Sequence, residues 1–121
     1  MPQSRRTQGY LFDILGAARA VQEFAVGKTL EDYKADLLLR SAVERQFEII
    51  GEALRQLWQH DPSVATRISQ ARQIIAFRNL LIHGYAAVDH EAVWDTLTVD
   101  LPILRAEVEA LLQEMNTARS G

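Results

Sequence analysis

Between about residues 7 and 26, the apolar positions Leu11, Ile14, Leu15, Ala18, Val21 and Ala25 return every three or four residues, with mostly polar positions between them. That spacing predicts one amphipathic helix, and Gly27 supplies its stop. Thr29 is placed to cap a short turn over residues 30–34, with Glu31 and Asp32 at the positive end of its dipole. Asp36 then caps a long helix over about residues 37–59. Its buried face is Leu39, Val43, Phe47, Ile50, Leu54 and Leu57, and Arg40, Glu44, Arg45, Glu48, Glu52 and Arg55 charge the other faces.

Asp61-Pro62 ends that helix and opens a short one, because proline's missing N–H is harmless at the first helical position. Residues 71–83 form the next helix, with Ile74, Phe77, Leu81 and Ile82 as its core side, and Gly84 is suited to close it. A loop over residues 84–88 leads to Asp89, the cap of the last helix. There Trp94, Leu97, Leu101, Leu104, Val108, Leu111 and Met115 alternate in steps of three and four, which is a bundle seam. Pro102 interrupts this seam and predicts a kink or a division. The tail from Asn116 to Gly121 is expected to fray. No strand pattern or repeat intervenes, so the expectation is an all-α, up-and-down bundle of four main helices plus short ones, in a single domain over residues 1–121.

Composition narrows the function classes. Nearly half of the 121 residues are hydrophobic, enough for a substantial core. The formal charge of −3 and the absence of a basic run argue against a protein that grips nucleic acid mainly by phosphate neutralisation, although a local basic pocket is compatible with both. Eleven of the thirteen basic residues are arginine, the side chain suited to bidentate phosphate or carboxylate contacts. No cysteine is present, which removes disulfides and thiolate metal sites. No apolar run is long enough to span a bilayer or to resemble a signal segment, so a cytoplasmic location is expected. His60 and His90 share no ligand spacing with His83 and are read as solvent-facing turn residues; no metal or other cofactor is expected. Trp58, Trp94 and Met115 are read as core or interface residues.

The chemistry concentrates in Arg78-Asn79-Leu80-Leu81-Ile82-His83-Gly84-Tyr85. In a helix, Asn79 and His83 stand one turn apart on one face, and the long Arg78 stem reaches the same edge. Taken singly, each has a structural reading: His83 as a C-terminal cap, Arg78 as an ion-pair partner, Tyr85 as a packed ring. Together they have the parts for phosphodiester chemistry. Arginine holds a phosphate, histidine moves protons, and asparagine orients the imidazole or the substrate. In-line cleavage by a 2′-OH needs both a base and an acid, so a single histidine per chain points to a symmetric dimer with two copies of the motif.

These residues resemble a known family. Arg78, Asn79, His83 and Tyr85 match the pattern Arg, four residues, His, one residue, Tyr of the HepT-like group of HEPN-domain proteins, which are toxins paired with a minimal nucleotidyltransferase. Flanking matches lie at Asp13-Ile14-Leu15, at Glu48-Ile49-Ile50-Gly51-Glu52-Ala53, and at Val93-Trp94 with Asp100-Leu101-Pro102. The resemblance implies a HEPN-like helical bundle forming a homodimer or higher oligomer. It implies a metal-independent endoribonuclease acting on RNA, with Arg78 and His83 carrying the chemistry and Asn79 supporting them. It also implies a cognate nucleotidyltransferase antitoxin that attaches AMP to Tyr85. The alternative is a non-catalytic bundle that docks a nucleotidyltransferase or a nucleotide through the same cleft.

Overall fold

A computed structural model describes residues 2–83 and 89–120, with the side chains of residues 5–83 and 89–118; Gly84 and Tyr85, to which the sequence assigns a helix stop and a modification site, lie outside the described residues. The helices are α1 (Pro2–Ala25), α2 (Leu30–Ala35), α3 (Leu37–His60), α4 (Pro62–Ala65), α5 (Ala71–His83), α6 (His90–Asp95) and α7 (Leu101–Ser120). No strand occurs among the described residues, and the fold is the expected all-α bundle. α3 is its centre: α1 packs along one side of it, α5 along another, and α7 lies on α1.

The caps stand where their side chains predict. Thr29 and Asp32 form a reciprocal capping box at α2, and Asp36 accepts from the Leu39 N–H at the start of α3. Gly27, at φ 73°, turns the chain after α1 in the left-handed region that glycine enters without strain. α1 begins five residues earlier than the apolar pattern indicates, at Pro2, where proline's fixed backbone angle suits a first turn. α7 reaches Ser120, past the Asn116 from which fraying is expected.

The predicted faces are the buried ones. Leu11, Ile14, Val21, Val43, Phe47, Ile50, Leu54, Leu57, Leu101, Leu104 and Val108 are all fully enclosed. Each such side chain contributes roughly 1.5–3 kcal/mol against exposure. Phe47 meets Phe77 edge-on at 5.5 Å, which ties α5 to α3. On α5, however, only Ala71 and Ile74 are buried; Phe77 and Leu81 are half-buried and Ile82 is 45% exposed. One side of α5 therefore rests on α3 and the rest of it is open.

Pro102 acts through a change of helical register. Residues Thr96–Asp100 form one π-helical turn between α6 and α7, in which the Leu101 N–H reaches back five residues to the Thr96 carbonyl. The wider turn makes room for the proline ring, which would otherwise crowd the carbonyl four residues before it. The Thr96 and Thr98 hydroxyls donate to the Ala92 and Trp94 carbonyls at 2.9 Å, taking up acceptors along this stretch.

One buried polar contact joins the far ends of α1 and α3. Thr7, 1% exposed, donates to Asp61 at 2.8 Å, while the other Asp61 oxygen caps α4 through Val64 and accepts from Ser63. Burial pushes the Asp61 carboxyl up, but the Ser63, Thr7 and Val64 hydrogen bonds outweigh it and hold the carboxyl below its ordinary value. Asp61→Ala removes the cap and orphans a buried hydroxyl, so it is expected to cost about 1–3 kcal/mol by urea denaturation. A loss within about 0.3 kcal/mol would show that this corner is not a stabilising contact.

Candidate active site

Gly51 determines where Arg78 sits. A Cβ built on Gly51 would overlap the Cβ of Arg78 and come within 2.5 Å of its Cγ, so the Arg78 stem occupies the space that any other residue would fill. The missing side chain allows α5 to cross α3 with the Arg78 stem laid directly on its backbone. One residue further along α3, Glu52 receives the guanidinium, with Arg78 Nη2 3.2 Å from Glu52 Oε1. Arg78 Nη1 donates to the Asn79 side-chain oxygen at 3.1 Å. Each terminal nitrogen keeps a second N–H for another acceptor. The Arg78 Nε–H is buried and has no partner among the described residues. An orphaned donor of this kind costs on the order of 1–3 kcal/mol.

Glu52 is held before Arg78 reaches it. Arg55 grips it through two nitrogens, at 2.9 and 2.8 Å, and Gln56 donates to it at 3.0 Å; both stand three or four residues further along α3. These hydrogen bonds, Arg55 first and Gln56 second, bring the Glu52 carboxyl down to about 2, with the Arg78 charge the smallest contribution. The carboxylate is thus a fixed anionic anchor throughout the physiological range. In the sequence, Gly51 and Glu52 appear only as family matches, because neither shows its partner until α5 is laid across α3.

The guanidinium opens onto a cleft of about 290 Å³ between α1, α3 and α5. Tyr10 and Asp13 of α1, Arg45, Glu48, Ile49, Glu52 and Gln56 of α3, and Arg78 and Ile82 of α5 line it. Three carboxylates face two arginines there, so one copy of the cleft is not electropositive. Asn79 and His83 are exposed on α5 one turn apart, with His83 the last residue of the helix. The structure therefore joins Arg78 and Asn79 by a hydrogen bond and places His83 on the exposed Asn79 face, at the open end of α5. The asparagine oxygen is on the guanidinium, a partner the sequence does not suggest.

The other two histidines correct an expectation. His60 and His90 are half-buried, each packed edge-on to a tyrosine at 6.0 Å: His60 on Tyr10, His90 on Tyr33. Sequence proximity to turns suggests solvent, but α1 covers the first and α2 the second. Burial, then the nearby Glu44 charge, raises the Tyr33 phenol well above its usual range, so it stays neutral. No group of three or more His, Cys, Asp or Glu side chains arranged to hold a metal occurs among the described residues. No helix among them is long and apolar enough to cross a membrane.

The sign of the Glu52 contribution follows from its depressed carboxyl. Its stabilisation is fully present above the ordinary value of 4.5 and is lost as pH falls toward about 2. Glu52→Gln is expected to cost about 1 kcal/mol at neutral pH, a small figure because the side chain is 34% exposed and screened. That difference from the wild type should stay constant down to about pH 5 and vanish toward pH 2 in acid denaturation curves. A difference that changes between pH 8 and 6 would place the coupling on another group.

Comparison with known proteins identifies the family. The family model described as "Ribonuclease HepT-like" matches residues 14–111. "Probable ribonuclease HepT" of Thermococcus cleftensis is 34% identical over 107 residues, covering 88% of this chain and 96% of that protein. "Putative RNase MJ1380" of Methanocaldococcus jannaschii is 32% identical over 105 residues, 87% of this chain and 95% of its own length. No solved structure matches. With a family model spanning Gly51, Glu52, Arg78 and His83 and relatives matched over nearly their full length, the chain belongs to the HepT-like ribonuclease family.

Proposed function

We propose that this protein is a metal-independent endoribonuclease, the toxin of a toxin-antitoxin pair, whose site is completed when two copies bring their Arg78 and His83 to one cleft. The observation that carries the reading is the Arg78 guanidinium, fixed between Glu52 and Asn79 with N–H groups to spare, in a chain of the HepT-like family. Those spare donors suit a phosphate oxygen and the charge that grows on it in the transition state. One His83 takes the proton of the 2′-OH as its oxygen bonds to phosphorus. The second copy's His83 gives a proton to the 5′-oxygen as the P–O5′ bond breaks. The products are a 2′,3′-cyclic phosphate and a 5′-hydroxyl. Ile82, which is exposed, and Ile49 both line the cleft and offer apolar surface to the second copy.

Control is assigned to Tyr85. A nucleotidyltransferase that transfers AMP from ATP to its phenol, with release of pyrophosphate and the phenolic proton, adds bulk and negative charge two residues beyond His83 in the chain, which would oppose RNA phosphate. The carboxylates of the cleft favour one competing reading, a docking module that holds a partner without cutting RNA.

Purified protein is expected to degrade RNA in the presence of a chelator and to leave cyclic phosphate ends. His83→Ala should abolish cleavage, and Arg78→Ala should lower it by about 10²-fold or more, the scale for losing one transition-state donor. Dependence on added metal, or full activity in either variant, would contradict the mechanism, and intact RNA at high enzyme concentration would favour the docking reading. After co-expression with a neighbouring nucleotidyltransferase, mass spectrometry should place AMP on Tyr85. Neutralisation with an unmodified tyrosine would refute that form of control.

A further inference from the structure

A second cleft, of about 410 Å³, continues from the first between the N-terminal part of α1 and the C-terminal part of α3. The two share Tyr10 and Gln56 in their walls. Their charge differs: the second is lined by Arg6, Arg55 and His60 together with Tyr10 and two glutamines, and by no carboxylate among the described residues. Arg6 donates its Nε–H to the Tyr10 hydroxyl at 2.8 Å and lies 5.7 Å from the ring centre, while His60 packs edge-on to the same ring. Guanidinium, phenol and imidazole thus form one planar-group cluster on the cleft wall. At its inner end, Arg55 binds the same Glu52 oxygen that receives Arg78, so the two arginines are one carboxylate apart.

We propose that this cleft is a nucleotide-binding subsite for single-stranded RNA leaving the Arg78 centre, with Arg6 facing phosphate and Tyr10 with its flanking groups offering a stacking surface to a base. The proposal rests on the ribonuclease reading for its substrate. The physical reason is the difference in lining: the cleft at Arg78 holds three carboxylates beside two arginines, whereas the adjoining cleft brings the exposed Arg6 guanidinium, the Tyr10 ring and His60 together, with Arg55 already paired to Glu52. Bases stack on aromatic rings and guanidinium planes with little regard for sequence, so the subsite would take unpaired RNA of mixed composition.

The test is binding of a fluorescent single-stranded oligoribonucleotide with 2′-O-methyl sugars, which lacks the attacking hydroxyl and stays intact. Arg6 is exposed, so Arg6→Glu leaves the core untouched; it should weaken binding tenfold or more. Arg6→Ala should make the salt dependence shallower by about 0.7 in log–log slope, the value for one phosphate contact on a single strand. Tyr10→Phe should retain most of the affinity and Tyr10→Ala should lose about fivefold or more, the lower end for one stacked base. Unchanged affinity in Arg6→Glu, or no binding by the wild type, overturns the subsite. Because the probe cannot be cut, Arg6-dependent binding by a protein that leaves cleavable RNA intact would uphold the subsite while ending the ribonuclease reading.

Discussion

The crossing of α5 over α3 at Gly51 is the constraint on which the rest of the site depends. A side chain there would occupy the space of the Arg78 stem, and a helix pushed outward would carry Asn79, Ile82 and His83 with it. The core fixes the same crossing from below, where Phe77 meets the fully buried Phe47. Helix packing and the placement of Arg78 thus share one contact. The apolar side of α5 holds the helix on α3, and the missing atom at Gly51 lets the cationic residue lie flat against the bundle.

Electrostatics then sets how that cation is held. A guanidinium tied only to Glu52 would be an ordinary surface ion pair of little energetic value. Here the carboxylate is already satisfied by Arg55 and Gln56, and the arginine keeps unused N–H groups beside a cleft. The arrangement orients Arg78 without consuming it. It also leaves the cleft lined by three carboxylates and two arginines, so the oriented Arg78 is its local phosphate-binding feature and not part of a broad basic face.

Much of this was legible in the sequence, because it depends on local rules. The Thr29, Asp36, Asp61 and Asp89 caps follow from side chains that bond their own backbone, and the buried faces of α1, α3 and α7 follow from a period of three to four. What depends on neighbouring helices was not legible. Ile82 reads as a core residue and instead lines the cleft, His60 and His90 read as exposed and are covered, and Leu37 and Leu38 are apolar yet open to solvent. Pro102 announces an interruption, but the π-helical turn at Thr96–Asp100 is one of several ways to absorb it. Arg78 and His83 stand out by residue type and spacing. Gly51, Glu52 and Tyr10 join them only through contacts across the bundle, for which a single sequence has no periodic signal.

If Gly51 places Arg78 for the proposed cleavage, Gly51→Ala must slow the cutting of RNA measured in the presence of a chelator. The added methyl group must displace the Arg78 stem, at a cost of about 1–3 kcal/mol for an overpacked contact, while the bundle retains its helix content by circular dichroism. The expected result is a folded protein whose cleavage rate falls at least tenfold. A folded Gly51→Ala protein that cuts RNA at the wild-type rate would contradict it.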